Sequence, residues 1–229
     1  MEIEDVSRAT SYTTLAAGSD FRHELEIRRS RFITVLRRSP DEDTARSLVS
    51  NLRREFHDAR HHCSAFVIGA DRMIQRSNDD GEPSGTAGIP MLEALVKRET
   101  SPGVTDLSDV SVVVVRYFGG ILLGAGGLVR AYSESVSAAL DLVRLVQRRR
   151  LRLCAVDVPH AGAGRLENEL RNAGYVMAET GYEPQHTILR IALPDDAATL
   201  SEARTRLASL TAGNLELRPQ GTEWVDVPL

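Results

Sequence analysis

The sequence has few cysteines: only Cys63 and Cys154 among 229 residues, far apart in the chain. With no CxxC pair, neither a disulfide framework nor a structural zinc site is expected, and a reducing cytoplasm is the predicted location. No apolar run approaches the roughly 20 residues that span a bilayer, and the first residues lack the features of a signal peptide. We therefore expect a cytoplasmic protein with no membrane partner.

The sequence also lacks an excess of positive charge, since its net charge is −4 and its pI is about 5.9. This balance argues against a protein coated in basic residues, as many simple nucleic-acid binders are, but it allows a local basic face. The hydrophobic share of 42% is typical of soluble globular proteins. The length suits one large domain or two small ones.

One stretch organises the chain: Val110 to Ser135. Its continuous apolar run, Val112 to Val115, predicts a strand that is buried on both faces. A glycine-rich turn follows, and then the pattern of an amphipathic helix. The predicted buried face of this helix consists of Leu128, Tyr132, Val136, Ala139, Val143 and Val146.

The glycines of this stretch, Gly119, Gly120, Gly124, Gly126 and Gly127, do not form a nucleotide-binding fingerprint, and no G-K-[ST] follows them. No cofactor is therefore expected. The amides behind such glycines could bind an anion. Close packing of two loops also requires glycine, and we favour that interpretation.

An acidic loop, Gln75 to Gly88, carries three carboxylates at Asp79, Asp80 and Glu82. They could bind Mg²⁺ or act as acid and base, or they could pair with Arg116 and Arg130 and hold two loops together. We expect this loop to compensate Arg130, whose charge near a helix N-terminus is unfavourable. The candidate ligand-binding or partner-binding residues are His62, Asp79, Asp80, Glu82, Ser84, Thr86, Arg116, Tyr117, Arg130 and Tyr132.

Hydroxyl and thiol groups offer weaker signals of catalysis. Ser84 and Thr86 have no nucleophile elbow around them and are more typical of helix caps. His61, His62 and Cys63 are adjacent, but neighbouring strand residues point to opposite faces, so a metal site is not expected. Cys63 could be a catalytic thiol with a histidine base, although a buried structural cysteine is the favoured interpretation. We assign no catalytic residue, and whether the protein is an enzyme stays open, with a non-enzyme favoured.

Two further helices are predicted before the central stretch. Ser39 and Pro40 predict a helix start, with Ser39 as the cap of an S-x-x-E box. Pro90 predicts the first turn of a second helix. The inward residues of this second helix are predicted to be Ile89, Leu92, Leu95 and Val96.

A domain boundary is predicted where Gln147 begins an arginine-rich segment. The expected domains are residues 1–146 and 147–229. The element order after the boundary, β-α-β-β-α-β, is that of a ferredoxin-like fold, and an exposed sheet face there could form a homodimer. Arginines near the boundary could contact the phosphates of a nucleic acid or could be a solvated linker, and we weigh the two equally: Arg144, Arg148, Arg149, Arg150 and Arg152.

Four motifs resemble the YigZ/IMPACT family: SNDDGEPSGTAGIP (Ser77 to Pro90), VVVRYFGGILLGAGGLVRAYSESV (Val113 to Val136), RRSRFIT (Arg28 to Thr34) and ARHHCSAFVIG (Ala59 to Gly69). The resemblance implies an α+β fold of two domains. The first would be an α/β sandwich similar to domain IV of elongation factor G, and the second would be ferredoxin-like. The family often has lysine where this chain has Ile89, so a contact of that lysine with an anion would be lost here.

The leading hypothesis is a translation-associated regulatory protein that binds RNA or the ribosome without catalysis. It rests on the resemblance, on the fold similarity that the resemblance implies and on the arginines near the boundary. Two alternatives remain open. One is a small-ligand site or enzyme centred on Asp79, Asp80 and Glu82 with Arg116 and Arg130. The other is a module in which the same loops dock a protein partner.

Overall fold

The computed structural model describes residues 9–228, and the chain divides into two compact units. The first unit extends to Gln147 and also includes the end of the chain from Val227. The second unit is Arg148–Asp226. Both units contain helices and antiparallel strands, so the α+β class predicted from the sequence is confirmed. Within the described residues, no helix is long and apolar enough to cross a membrane.

The first unit is built around one five-stranded antiparallel sheet whose strand order is β2-β3-β6-β4-β5. Its elements in chain order are β1 (Ser11–Leu15), β2 (Phe21–Ile27), β3 (Ser30–Arg38), α1 (Glu42–Glu55), β4 (His61–Ile68), β5 (Ile74–Asn78), α2 (Gly88–Val96), β6 (Val110–Tyr117) and α3 (Gly124–Leu142).

The central strand β6 confirms the prediction of burial on both faces. Val112 and Val114 belong to the core under α2 and α3, and Val113 and Val115 belong to the core under α1. All four are 0% exposed. A strand that alternates between two cores must be apolar throughout, which explains the unbroken valine run.

Helix α3 is shorter than predicted. It ends at Leu142, and Val143 and Val146 do not belong to its buried face, because the chain becomes extended at Val143 and enters a strand at Leu145. Ala131 and Ser135 are buried in their place, and the small size of both side chains suits close packing against the sheet.

The other two helices of this unit also correct the sequence predictions. The cap of α1 is Asp41, whose Oδ1 accepts from the Thr44 amide at 2.7 Å. Ser39 is instead buried, with its hydroxyl 2.6 Å from that of Ser111. In α2, Ile89 is 52% exposed rather than inward, because the buried side of that short helix is filled by Met91 and its neighbours.

The second unit folds around the sheet β11-β7-β10-β8, and the short β9 also pairs with β10. The first of the two consecutive strands expected between its helices is divided into two strands of two residues each. The elements are β7 (Leu145–Val158), which begins in the first unit, α4 (His160–Asn172), β8 (Val176–Met177), β9 (Gly181–Tyr182), β10 (Thr187–Pro194), α5 (Ala197–Thr211) and β11 (Arg218–Pro228). Its core joins alternate residues of β7 and β10 to α4 and α5, including Val156, Leu170, Leu189 and Leu207.

Gly119 lies where the loop after β6 meets the β2–β3 turn. A Cβ atom at Gly119 would lie 2.0 Å from the carbonyl carbon of Arg29, and the Gly119 amide donates to Ser30 Oγ at 3.2 Å. The favoured interpretation of close loop packing therefore applies at this position. Gly126, in the first turn of α3, has no such neighbour within 4 Å.

We expect Gly119→Ala to lower the free energy of unfolding by about 1–3 kcal/mol, because the backbone of Arg29 must move. The matched variant Gly126→Ala should raise it by up to about 1 kcal/mol, as alanine favours an open helical position. Urea denaturation followed by circular dichroism measures both. Equal effects of the two substitutions would show that the close approach at Gly119 carries no cost.

Candidate functional site

The Asp79 carboxylate accepts hydrogen bonds from backbone amides at the start of helix α2. Its Oδ1 accepts from the amides of Ala87 at 3.0 Å and Gly88 at 2.7 Å, and its Oδ2 accepts from the Gly85 amide at 2.7 Å. Burial opposes ionisation of this carboxyl, but the three amide hydrogen bonds outweigh it and lower the pKa of Asp79. The anion site at this helix start is thus filled from within the chain.

Asp80 fastens the acidic loop to β4 and α1. Its Oδ2 accepts from the His62 amide at 2.6 Å, and its Oδ1 lies 2.6 Å from Nη2 of Arg53. The His62 side chain is buried, with Nε2 3.1 Å from the Phe56 carbonyl oxygen. Neither Asp80 nor His62 is left open to a ligand by this arrangement.

Glu82 and Arg116 form a buried ion pair. The Arg116 Nη1 to Glu82 Oε1 distance is 2.6 Å, and the two side chains are only 8% and 4% exposed, in that order. Tyr132 donates from its hydroxyl to the same Oε1 at 2.8 Å. The guanidinium also lies over the rings of Phe32 and Phe118, at 5.5 and 5.8 Å from their centroids. The pair therefore joins the acidic loop to the end of β6 and to α3.

Cys63 belongs to the same buried network. Its thiol lies 3.3 Å from the Tyr132 hydroxyl and donates to the Asp79 carbonyl oxygen at 3.0 Å. Burial raises the pKa of Cys63 to about 12, and it also raises the pKa of Tyr132. A thiol with such a pKa is protonated at neutral pH, so the arrangement disfavours Cys63 as a nucleophile.

The hydroxyl residues of the acidic loop and Tyr117 lie apart from this network. Thr86 is buried and donates to the Pro83 carbonyl oxygen at 2.6 Å, whereas Ser84 is exposed. Tyr117 donates from its hydroxyl to Asp58 Oδ1 at 2.7 Å. The structure thus places no hydroxyl nucleophile next to a base in this loop.

Arg130 does not pair with the acidic loop, so that expectation is wrong. Arg130 is exposed, and no carboxylate of residues 9–228 lies within 4.0 Å of its guanidinium. Because α3 begins at Gly124, Arg130 is nearly two turns into the helix, where the helix dipole no longer disfavours a cation. Arg116 pairs with a carboxylate of the acidic loop instead, that of Glu82.

No trio of histidine, cysteine, aspartate or glutamate side chains in the described chain is grouped so as to hold a metal ion. All three loop carboxylates already have protein donors as partners. The acidic loop is therefore a clamp between elements of the first unit, and its geometry gives no support to an enzyme site there.

The arginines at the start of the second unit are largely neutralised within that unit. Arg150 and Arg152 each have a guanidinium nitrogen 2.6 Å from the Asp195 carboxylate. Arg148 donates to the Trp224 carbonyl oxygen at 3.0 Å. Arg144 and Arg149 are exposed. A phosphate would have to displace the buried Asp195 carboxylate to reach Arg150 and Arg152, so these two arginines are poor phosphate ligands.

A groove that the sequence analysis missed lies between α1 and strands β4 and β5. Its volume is about 370 Å³. Three arginines and a partly exposed phenylalanine are among its lining residues, and no acidic residue is. The lining residues are Ala45, Arg46, Val49, Ser50, Arg53, Ser64, Phe66, Arg76, Ser77 and Asn78.

Two arginines of this groove are the exposed members of ion pairs whose carboxylates are partly buried. Arg46, 70% exposed, pairs with Glu42 at 2.7 Å, and Arg53, 52% exposed, pairs with Asp80 at 2.6 Å. Arg76 donates to the Gln75 carbonyl oxygen. The sequence signal was the polar side of α1 together with the polar strand β5, but only the fold shows that the two face one another.

The chain is similar to several proteins of known sequence. The chain is 44% identical to IMPACT family member YvyE of Bacillus subtilis (strain 168) over 75% of each chain. It is 38% identical to IMPACT family member YigZ of Escherichia coli (strain K12) over 84% of this chain and 90% of that one. Residues 28–140 match the Impact N-terminal domain. The chain belongs to the IMPACT family, which confirms the resemblance noted in the sequence.

A solved structure supports the fold assignment. A crystal structure described as that of an hypothetical protein is 36% identical to this chain, with a TM-score of 0.59. The match covers 91% of this chain and 97% of that chain. The fold is thus shared with that structure over 91% of this chain.

We expect Glu82→Leu and Arg116→Met each to lower the free energy of unfolding by about 3–5 kcal/mol, because each leaves a buried charge unpaired. The double variant should be more stable than either single variant. Lys97→Met, which breaks an exposed pair with Glu93, is the control and should change stability by less than about 1 kcal/mol. Additive losses in urea denaturation would contradict a coupled clamp.

Proposed function

We propose that this IMPACT family member is a translation-associated regulatory protein that binds RNA or the ribosome without catalysis. The observation that carries the proposal is the groove beside α1, where Arg46, Arg53 and Arg76 line one cavity that no carboxylate lines. A concentration of guanidinium groups of this kind is what phosphate binding requires, even in a chain of net charge −4.

The exposed arginines of the groove favour exchange with phosphate. A solvent-exposed ion pair contributes little free energy, so an RNA phosphate can replace Glu42 beside Arg46 at small cost. Each phosphate that an arginine neutralises also releases condensed counterions. Binding of this kind weakens steeply as salt is added.

The absence of catalysis in the proposal follows from how the reactive groups are used. Asp79, Asp80 and Glu82 accept from protein donors, and the Cys63 thiol is buried and protonated at neutral pH. A general base or nucleophile needs a free lone pair within reach of a substrate. The groove itself offers arginines and hydroxyls, which bind and orient.

The fold is consistent with a translation-related role. We propose that the second unit is ferredoxin-like, because its strand order β11-β7-β10-β8 with two helices on one face suits the split βαβ arrangement. We propose that the first unit is similar to domain IV of elongation factor G, and that the protein acts in the cytoplasm. Fold analogy by itself is a weak warrant for function, so the groove carries the proposal.

A second candidate function is protein docking, favoured by an exposed apolar loop before α3. Leu122 is 83% exposed, Phe118 is 51% exposed and Ile121 is 40% exposed. Exposing clustered apolar side chains to water is unfavourable, and burial of these side chains against a protein partner would lower the free energy. The Glu82 clamp lies next to this loop through the contact of Arg116 with Phe118.

We expect the double variant Arg46→Gln, Arg76→Gln to bind purified ribosomes or structured ribosomal RNA about tenfold or more weakly at low salt. The slope of log affinity against log salt should become shallower by about 2, one for each lost phosphate contact. Co-sedimentation across a salt series measures both quantities.

The matched control is Arg165→Gln, Arg171→Gln, which makes the same change in net charge on α4. Both control arginines hold exposed pairs with glutamates four residues away, as Arg46 does with Glu42. This control should bind as the unmodified protein does. Equal weakening by the two double variants, or no binding by the unmodified protein, would overturn the proposal.

A further inference from the structure

We infer that the groove beside α1 takes single-stranded RNA, with one unpaired base stacked on the Phe66 ring and the adjoining phosphates on Arg46, Arg53 and Arg76. This inference rests on the proposed RNA-binding function and names the form of RNA that the site selects.

Strand β4 puts Phe66 on the groove side of the sheet. Cys63, Ala65 and Val67 belong to the core under α2 and α3. Because successive strand residues point to opposite faces, Ser64 and Phe66 point to the other face. That face is covered by α1 over β3 and β6, where Leu48 and Leu52 pack. It is left partly open over β4, where the ring of Phe66 lines the groove.

Strand β5 puts a guanidinium beside that ring. In the antiparallel pair β4–β5, Phe66 lies opposite Arg76 and Ser64 lies opposite Asn78. Residues directly opposite share a face, with Cβ atoms about 4.5–5.5 Å apart. The groove floor therefore has an aromatic ring with an arginine at its side, and Arg46 and Arg53 of α1 face it from the opposite wall.

This combination selects an unpaired base. Aromatic rings and arginine planes stack well on a base face, but in a duplex both faces of each base are already covered by neighbours. The volume of about 370 Å³ is at the small end of ligand pockets, which suits one inserted nucleotide better than a duplex. The hydroxyl of Ser64 and the side-chain nitrogen of Asn78 lie on the same face and can bond to a base edge or ribose, while Asn78 Oδ1 accepts from the Asp80 amide at 2.7 Å.

The test compares one RNA in two forms. A fluorescently labelled RNA of ten unpaired nucleotides and the same RNA annealed to its complement are each titrated with the protein, and fluorescence anisotropy gives the affinities. The unmodified protein should bind the single strand about tenfold or more tightly than the duplex. Phe66→Leu keeps an apolar side chain of similar size but removes the stacking face, so it should weaken single-strand binding at least fivefold and leave duplex binding unchanged.

The control for the aromatic change is Tyr182→Leu, since Tyr182 is an exposed aromatic residue of the second unit, outside the groove. It should bind both RNAs as the unmodified protein does. Thermal unfolding of each variant confirms that the first unit is folded before binding is compared.

The outcomes separate the two proposals. Equal binding of both RNA forms, weakened by Arg46→Gln, Arg76→Gln but not by Phe66→Leu, would overturn the single-strand inference and leave RNA binding in place. No binding of either form would overturn the single-strand inference, whereas the proposed function is overturned only if co-sedimentation with ribosomes and ribosomal RNA also fails. Binding of an oligoglutamate peptide that depends on Phe66 and Arg76, without RNA binding, would assign the groove to an acidic protein segment and also overturn the inference.

Discussion

The buried Arg116 guanidinium is the constraint on which the first unit depends. A charge taken out of water must be paired and hydrogen-bonded, and the partner of Arg116 is Glu82, which the acidic loop must deliver to a fixed place. Tyr132 on α3 shares the same carboxylate oxygen. One interaction thus fixes the end of β6, the loop and α3 relative to one another. Asp79 also holds the loop in place, because its carboxylate accepts hydrogen bonds from three backbone amides at the start of α2.

This use of the acidic loop explains why its density of polar residues does not make a catalytic site. The three carboxylates already accept hydrogen bonds from protein donors. The glycines of the neighbouring loop serve packing instead, as where Gly119 lies close to the backbone of Arg29. The charge left accessible lies elsewhere, on the polar side of α1 and on the edge strand β5. Ligand binding is assigned to that surface because its three arginines are themselves exposed to solvent.

The sequence predicted those features that follow from local pattern. An unbroken valine run could only be a strand between two cores, and long motifs were sufficient to place the chain in its family. Local pattern could not show which arginine the loop would pair with, since Arg116 and Arg130 were equivalent until α3 was known to begin at Gly124. It also could not separate Ser39 from Asp41 as a cap, because the hydrogen bond that draws Ser39 inward comes from distant Ser111.

The groove was missed for a related reason. In the sequence, Arg46 and Arg53 fall on the polar side of a helix, and Arg76 falls within the predicted acidic loop. They become one site only when the antiparallel pairing of β4 with β5 brings Arg76 beside Phe66 and the sheet turns that face toward α1. Sites assembled from separate elements of ordinary composition leave no local motif.

The most direct measurement of the central claim is an amide chemical-shift map of the isotopically labelled protein, titrated with single-stranded RNA. If the loop is a structural clamp and the groove is the binding surface, the largest shifts fall on amides of Ser50, Phe66 and Arg76. Shifts concentrated on residues 85–88, or on residues 148–150, with the groove amides unchanged, would contradict the account.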